Sequence, residues 1–440
     1  MALTADRDSG TTQTRPSAEQ RKVLAGALVG TTIEWYDFFI YAQAAGLVFA
    51  PLFFAPLEQS SPGLASLVSL ATIGISFLFR PIGAIVAGRF GDRIGRKRML
   101  VVTLLTMGLA TTGIGLLPTH ASIGVAAPLA LITLRILQGF SAGGEWGGAA
   151  LMAVEHAPAD RRGRFGAYPQ VSVPLALLLA TAVTLGLKAA TSEESFLAWG
   201  WRIPFLMSLV MIAVGYVIRR TVEESPVFEE LRERQARSSA PLIDLIRGHR
   251  RQVVLTALIF AGNNAVGYLQ IAFFVSYGAA VGLSDEAVLL STMAGAVGYA
   301  GFTMYGGALS DRIGRVRTFQ LGYTMIIIWI VPLFALMQTG NALLFLAAVV
   351  LLTPGIGLTY GPMSAMYAEM FPASVRYSGA SIGYSSGAII GGAFAPMIAQ
   401  ALLDSTGNAI FIGVYVMALC AISFGAVSMV REPKGIDLTP

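Results

Sequence analysis

Charge and cysteine are both scarce in this sequence. Charged residues make up 12% of the 440 positions and hydrophobic residues 55%, whereas a soluble domain carries about 25% charged residues. A soluble chain of this length has no way to bury so much apolar surface, so the composition indicates a membrane protein. The one cysteine, Cys420, excludes a disulfide framework and a cysteine-based metal cluster within the sequence.

Signatures of enzymes are missing as well. The sequence contains no phosphate-binding Gly-x-x-x-x-Gly-Lys-Ser/Thr loop. Its histidines, His120, His156 and His249, fall in loops or at the ends of apolar runs, which leaves no intramembrane metal site or Ser-His pair. We therefore expect no enzyme, no metal site and no bound cofactor. The net charge of +5 does not predict nucleic-acid binding, because the basic residues lie in short loops between apolar runs.

Twelve apolar windows are each long enough to cross a bilayer as a helix, which takes about 20 residues. They cover residues 23–50, 64–87, 99–117, 124–154, 165–187, 201–218, 253–280, 287–309, 319–337, 342–367, 378–403 and 409–430. The predicted fold is an all-α membrane protein with twelve transmembrane helices in two six-helix, pseudo-symmetric bundles. The predicted parts are an N-terminal tail (1–22), a first bundle (23–218), a linker helix region (219–252), a second bundle (253–430) and a short tail (431–440).

The distribution of basic residues predicts the orientation. All but four of the 30 Lys and Arg residues lie in the tails, the linker or alternate loops. Arg80 and Arg135 lie inside windows, and only Lys188 and Arg202 lie on the opposite side. Because basic loops stay in the cytoplasm, both termini are predicted to be cytoplasmic. Short acidic loops then face outward; they hold Glu58, Glu193, Glu194, Asp285, Glu286 and Asp404.

Two matching loops reveal an internal duplication. Residues 88–98 and 307–317 carry Gly, Asp, Arg, Gly and Arg at the same places, and Asp92 and Asp311 are 219 positions apart. A weaker match pairs Glu155 with Glu369, after the fourth and the tenth window. The duplication predicts two homologous halves with a substrate site between them, near the middle of the membrane.

With these loops, the sequence resembles the major facilitator superfamily. More narrowly it is similar to the metabolite:H+ symporter family, in motifs that span Glu34–Phe39, Phe79–Gly83, Arg135–Gly148 and Trp199–Phe205. The resemblance covers residues 23–431 and implies proton-driven import of small organic acids or zwitterions. Shikimate, 2-oxoglutarate, citrate, proline and glycine betaine are substrates in the family. It also implies a monomer in the plasma (inner) membrane of a bacterial-type cell, with protons, the small-molecule substrate and membrane lipid as its partners.

Four ionisable residues lie in mid-window, where each costs at least about 2.5 kcal/mol to insert. They are Glu34, Asp37, Arg135 and Glu145, all in the first half. Asp37 and Arg135 reach similar depths from opposite sides, so we expect them to form a pair. If a substrate carboxylate draws Arg135 away, Asp37 loses its partner and takes up a proton. The resemblance supports this assignment, because related proton-coupled sugar porters have an acid on the first helix and an Arg on the fourth. A static ion pair that clamps two helices is the alternative.

The other intramembrane charges have two readings each. Glu145 lies ten residues beyond Arg135, about 15 Å along a helix, and is either a second proton station or a partner of a neighbouring helix. Glu34 is either an acid of the substrate site or a helix partner. Arg80 lies about eight residues from a basic loop, and its long side chain favours a structural role in which it reaches toward that loop.

Polar, uncharged residues at corresponding depths are the predicted substrate ligands. Val349 and Thr359 of the second half match Arg135 and Glu145 in the alignment of the halves, which leaves charge chemistry to the first half. The alternative is that the amides and hydroxyls join helices to each other. With Arg135, the predicted substrate-binding residues are Tyr41, Gln138, Gln170, Asn263, Asn264, Tyr268, Tyr360 and Tyr384.

The duplicated loops are predicted to be gates. An Asp near a helix N-terminus is favoured by the helix dipole, and an Arg in the same loop can pair with another helix end in one conformation only. Loops that only set the topology are the alternative. The predicted gating residues are Asp92, Arg93, Arg96, Glu155, Asp311, Arg312, Arg315 and Glu369.

Together these features predict a secondary transporter that imports a small polar metabolite with protons by alternating access. An organic acid of the shikimate or dicarboxylate type is the expected substrate. Uptake of a zwitterionic osmolyte such as proline or betaine, or uniport without proton coupling, is the alternative within transport. A receptor would need an added signalling domain and an enzyme would need a nucleophile, base or metal cluster, so both are less favoured.

Overall fold

The computed structural model describes residues 18–61, 63–94, 96–143, 145–221, 245, 248–373, 375–436 and 438. Only the backbone is described at 18–20, 22–23, 84–85, 87–94, 96–100, 145 and 218–221. The predicted linker helix region therefore lies mostly outside the described residues, as do the first 17 residues of the predicted N-terminal tail.

All twelve predicted windows are helical. The spans, in chain order, are Ala18–Leu47; Leu64–Ile94; Arg96–Leu116; Ala126–Ala142 with Glu145–Glu155; Arg162–Ala190; Arg202–Thr221; Arg250–Tyr268 with Leu269–Phe273 and Phe274–Ala280; Asp285–Ile313; Arg315–Met337; Ala342–Tyr360 with Met363–Met370; Arg376–Gly387 with Ala388–Ala393 and Ala395–Thr406; and Ile410–Ser428. We number them first to twelfth. Short helices at Phe49–Phe53, Ala55–Ser60, His120–Ile123, Glu193–Ser195 and Phe196–Gly200 lie between them.

Most of these spans are long and apolar enough to cross a bilayer. Among the described residues, nine helices are long and apolar enough to cross a membrane, and a pair bent by 42°, Glu193–Gly200 with Arg202–Val217, makes a tenth. The other two are the first span, which contains Glu34 and Asp37, and the third, whose apolar part is Val101–Leu116. Several helices begin a few residues before the predicted windows, since polar residues at helix ends can lie at the membrane surface.

Three spans are interrupted within the described residues. The tenth is broken between Tyr360 and Met363. The seventh and eleventh spans contain π-helical segments, Leu269–Phe273 and Ala388–Ala393. Because π-helical segments often occur at functional sites, these interruptions indicate a functional site near the centre of the molecule.

The two halves pack against each other along several helix pairs. The fifth span lies along the eighth, the second contacts the eleventh, and the first contacts the seventh. One apolar core includes residues of both halves. We call the end that carries Arg162, Arg251, Arg315 and Arg376 the basic face, and the opposite end, with Asp285 and Asp404, the acidic face.

Small residues allow the second and fourth spans to touch at their backbones. A Cβ atom on Gly139 would lie 2.0 Å from the carbonyl oxygen of Ser76, and one on Gly83 would lie 1.8 Å from that of Phe140. These distances leave no room for a methyl group, so the two helices depend on glycine for their close approach.

We expect Gly139→Ala to destabilise the protein by about 1–3 kcal/mol, because the added methyl group forces the second and fourth spans apart. Gly186→Ala is the matched control, since no atom lies within 4 Å of a Cβ at this helical glycine. The control variant should be neutral or more stable by up to about 1 kcal/mol. Thermal unfolding of the detergent-purified variants measures both. Equal stability of the two variants would contradict this account of the contact.

Candidate functional site

Asp37 is buried in the first half and is hydrogen-bonded by two hydroxyl groups. Its side chain, on the first span, is 3% exposed. Thr111 of the third span donates to Oδ2 at 3.0 Å, and Ser208 of the sixth span donates to Oδ1 at 2.5 Å. Each carboxylate oxygen therefore has a donor, which offsets part of the cost of its burial.

Arg135 is fully buried and only partly hydrogen-bonded. Its guanidinium carbon lies 3.9 Å from the ring centre of Tyr41 and 4.3 Å from that of Phe38, within range of cation–π attraction. Nη1 donates to Oε1 of Gln138 at 2.9 Å. Nε and Nη2 have no hydrogen-bond partner in the described part of the chain. Two buried donors are thus available for a ligand.

The predicted direct pair of Asp37 with Arg135 does not form. No ion pair joins them among the described residues; instead, Arg135 donates to Gln138, and Nε2 of Gln138 donates to Oγ1 of Thr111 at 2.7 Å. Thr111 in turn donates to Asp37 at 3.0 Å, or to the carbonyl oxygen of Met107 at the same distance. The expectation of direct contact was wrong because Gln138 and Thr111 occupy the space between the two charges.

Arg80 does not reach toward the loop as the sequence suggested. It is 4% exposed, and its guanidinium carbon lies 4.4 Å from the ring centre of Phe77 and 5.0 Å from that of Phe38. Its Nε has no hydrogen-bond partner in the described chain. Attraction to aromatic rings holds the side chain at the centre of the molecule instead.

A small cavity lies between the two halves. The cavity leaves about 10 Å³ for the centre of a water molecule, which is about enough for one water. Both halves line it: the first with Glu34, Trp35, Arg80 and Trp146, and the second with Ser381 and Tyr384 among others. Of the predicted site residues, Glu34 and Tyr384 lie here.

Aromatic and amide groups connect the halves beside the cavity. The rings of Trp146 and Tyr384 stack with centres 3.9 Å apart and planes 9° from parallel. Gln170 accepts from Nε1 of Trp146 at 3.1 Å and donates to the carbonyl oxygen of Tyr360 at 3.4 Å. Tyr384 also stacks on Phe260, 4.5 Å away. The predicted ligands Gln170, Tyr360 and Tyr384 therefore join the halves in this conformation.

The remaining predicted ligands either lie at the centre of the molecule or form hydrogen bonds to neighbouring helices. The Tyr268 ring packs edge-on against Phe38, with centres 5.6 Å apart, close to both arginines. Asn263 donates to Thr359 at 2.7 Å and Asn264 to the carbonyl oxygen of Ala388 at 3.1 Å. Tyr41 donates to Thr72 at 2.7 Å. The two Asn side chains thus bind neighbouring helices of their own half, as the alternative reading had it.

At the basic face, Asp311 binds the N-terminus of the fifth span across the boundary between the halves. Its two carboxylate oxygens accept from the backbone N–H groups of Gly163 and Arg164, each at 2.8 Å. An acid at this place satisfies two backbone donors and complements the positive end of the helix dipole.

Arg315 binds Asp311 and Glu369 on the second-half side of this contact. The buried guanidinium donates to both carboxylate oxygens of Glu369, at 3.0 and 3.2 Å, and to Asp311 at 2.7 Å. Arg162 of the first half lies 3.7 Å from Glu369. Arg312, also predicted to be a gating residue, is exposed, and its carbonyl oxygen accepts from Lys434 at 3.2 Å.

Two more ion pairs cross between the halves. Glu155 accepts from Arg376 at 3.4 Å at the basic face. Lys188 pairs with Asp285 at the acidic face. Contacts therefore join the two halves at both faces. The side chains of the predicted residues Asp92, Arg93, Arg96 and Glu145 lie outside the described part.

Sequence reasoning missed Thr111, Ser208 and the central position of Arg80. Single hydroxyl residues are common in apolar helices, so nothing in the sequence distinguished the two that bind Asp37. The position of Arg80 was misjudged because depth alone favoured the nearby loop, whereas Phe77, one turn before it, was the signal for an aromatic environment. Within the described residues, no group of His, Cys, Asp and Glu side chains could hold a metal.

Known proteins match this chain over nearly its whole length. The Major Facilitator Superfamily matches residues 28–383. The inner membrane metabolite transport protein YhjE of Escherichia coli K12 is 39% identical, over 95% of this chain and 96% of its own. The shikimate transporter of the same organism is 36% identical, over 97% and 99%. The proton:xylose symporter XylE, bound to 6-bromo-6-deoxy-D-glucose, shares the fold with a TM-score of 0.79 and 17% identity, over 97% of this chain and 98% of its own.

Proposed function

We propose that this chain, which belongs to the Major Facilitator Superfamily, imports a small organic anion together with protons by alternating access. The twelve-helix, two-bundle fold that was predicted is confirmed. We place the protein in an inner membrane as a monomer, with the basic face and both termini in the cytoplasm. The excess of basic residues in the loops of that face supports the orientation, and the name of the relative YhjE supports the membrane. Protons are the proposed coupling ion.

The observation that carries the proposal is the set of unpartnered N–H groups on two buried arginines. Nε and Nη2 of Arg135 and Nε of Arg80 find no acceptor among the described residues. A buried donor without a partner costs about 1–3 kcal/mol. A carboxylate supplies acceptors in the geometry of a guanidinium, and its charge balances that of the arginine. The name of the related shikimate transporter, whose substrate is a carboxylate, supports the same class.

The ring of Phe38 lies against both arginines. Its ring centre is 5.0 Å from the guanidinium carbon of Arg80 and 4.3 Å from that of Arg135. Arg80 also lines the cavity. We propose that a carboxylate meets Arg80 first and reaches Arg135 when the ring turns aside.

The hydrogen bonds around Thr111 offer a way to couple protons to that step. While Arg135 donates to Gln138, the amide of Gln138 donates to Thr111, whose own proton is free for Asp37. If Arg135 turns to a substrate carboxylate, Gln138 loses its donor and Thr111 is released to donate to Met107 instead. Asp37 then keeps only Ser208 as a donor and takes up a proton.

Alternating access follows from the contacts that close each face. The Asp311, Glu369 and Glu155 contacts of the basic face must break for inward opening, and the Lys188–Asp285 pair of the acidic face must break for outward opening. Since these contacts join opposite halves, rocking of one half against the other breaks one set and keeps the other.

A zwitterion such as betaine or proline is a second candidate, favoured by the aromatic lining of the cavity. The side chains of Trp35, Trp146 and Tyr384 line it together with the acid Glu34. Aromatic faces and a carboxylate attract a quaternary ammonium group, while Arg80 donates hydrogen bonds to the carboxylate of the same molecule.

Arg135→Lys should weaken carboxylate binding by tenfold or more, because a point charge cannot replace the planar fork of a guanidinium. Binding is measured as ligand-induced thermal stabilisation of the purified protein, about 2.7 kcal/mol at 100 times Kd. A panel of cyclic acids, dicarboxylates, betaine and sugars identifies the class. Arg164→Lys, at an exposed arginine, is the control. A betaine response that survives Arg135→Lys, with no response to acids, would favour the second candidate instead.

Asp37→Asn should abolish uphill accumulation in proteoliposomes with an imposed proton gradient while exchange of labelled for unlabelled substrate continues. The amide keeps the shape of the side chain but cannot release a proton. Asp160→Asn, at an acid whose side chain is 74% exposed, should behave as the unmodified protein. Retained accumulation in Asp37→Asn would remove this residue from the coupling step.

Gln138→Leu should lower the accumulation ratio by about tenfold, since a change of about 1.4 kcal/mol in coupling has that effect, and it should leave exchange active. Gln43→Leu is a matched control: Gln43 is also buried and hydrogen-bonded to two threonines, Thr181 and Thr184, but is not linked to Asp37. If the two variants lose accumulation to the same extent, the link through Gln138 has no special part in coupling.

A further inference from the structure

We propose that residues 432–436 and 438, here called the C-terminal strap, are a latch that holds the basic face closed. The strap runs across the end of the molecule where the two halves meet, and it contacts both. Its contacts are independent of the substrate and of the proton site. The proposal therefore stands whether or not the substrate is an organic anion.

The first part of the strap is bound to the second half. The carboxylate oxygens of Glu432 accept from the backbone N–H groups of Arg315 and Val316, at 2.8 and 3.0 Å. These N–H groups open the ninth span, so Glu432 satisfies unpaired backbone donors at the positive end of that helix. Lys434 donates to the carbonyl oxygen of Arg312 at 3.2 Å.

The second part of the strap is bound to the arginines that close the face. The carbonyl oxygen of Ile436 accepts from Arg162 of the first half, and that of Leu438 accepts from Arg376 of the second half at 3.1 Å. The same two arginines contact Glu369 and Glu155 across the boundary. The strap thus binds one arginine from each half while both are engaged in closing contacts.

Leu438 adds an apolar contact at the boundary itself. Its side chain, 8% exposed, packs in one cluster with Leu151 and Val154 of the first half and Ala365 and Ala368 of the second. By contrast, the side chain of Ile436 is 49% exposed. When the basic face opens, these four residues separate, so Leu438 must leave at least one half.

The strap's contacts with the first half, from Ile436 to Arg162 and from Leu438 to Leu151 and Val154, therefore form together with its second-half contacts only while the basic face is closed. A ligand or segment that binds one conformation better shifts the equilibrium by its differential affinity. Weakening the strap should raise the population open at the basic face, and strengthening it should lower that population.

The test uses a reporter cysteine in the 440-residue chain. Cys420 is replaced by alanine, and Ser381→Cys supplies a thiol of nearly the same size on the cavity wall. A membrane-impermeant thiol reagent is added from the basic face or from the acidic face in vesicles of opposite orientation. The labelling rate from each side reports how often that face opens.

Leu438→Asp should raise the labelling rate from the basic face about fivefold or more, the change that about 1 kcal/mol of differential stability gives, and should not raise it from the acidic face. Ile436→Asp places the same charge two residues away on an exposed side chain and should leave both rates within about twofold. Leu438→Ala, the milder variant, should give a smaller rise in the same direction and replaces Leu438→Asp if that chain does not fold.

Three results would overturn the proposal. The first is no rise from the basic face in either Leu438 variant. The second is an equal rise in Ile436→Asp, which would assign the effect to charge on the segment and not to the boundary contact. The third is a rise from both faces, which would indicate general loosening of the bundle.

Discussion

The absence of water in the membrane is the constraint on which this structure depends. A charge or a hydrogen-bonding group inside the hydrocarbon must find its partner within the protein. Asp37 does so with two hydroxyl groups, and Arg80 and Arg135 do so in part with aromatic rings. Of these three charges, the two arginines keep N–H groups without an acceptor among the described residues, and it is on these groups that the proposed carboxylate substrate rests.

Charge chemistry and helix contacts are distributed unequally between the duplicated halves. In the first half, the central polar groups form a chain from Arg135 to Asp37 with a free end on the arginine. In the second half, Asn263 and Asn264 are engaged with neighbouring helices, and aromatic rings face the boundary. The buried charges described at the centre therefore belong to the first half, whereas aromatic rings come from both halves.

The sequence allowed the fold to be predicted more fully than the site. Apolar length and the bias of basic residues depend only on composition along the chain, so all twelve spans were found from them. The duplicated loops likewise indicated Asp311 and Arg315, because their spacing repeats. The partners of Asp37 were not predictable, since Thr111 and Ser208 come from helices whose rotation about their axes a hydropathy pattern does not determine. Because this rotation was unknown, a direct Asp37–Arg135 pair was predicted from the sequence. In the structure, Gln138 and Thr111 link the two residues instead.

The capping of the fifth span by Asp311 has a consequence for biosynthesis. The backbone N–H groups of Gly163 and Arg164 belong to a helix that enters the membrane with the first half, but their acceptor is encoded 148 residues after Gly163. At a synthesis rate of about 5–20 residues per second, that carboxylate emerges roughly 7 to 30 s later. Until then the first half has an open helix end that only water or a chaperone can satisfy. The N-terminus of the fifth span therefore receives its acceptor from the second six spans, after the first six have been synthesised.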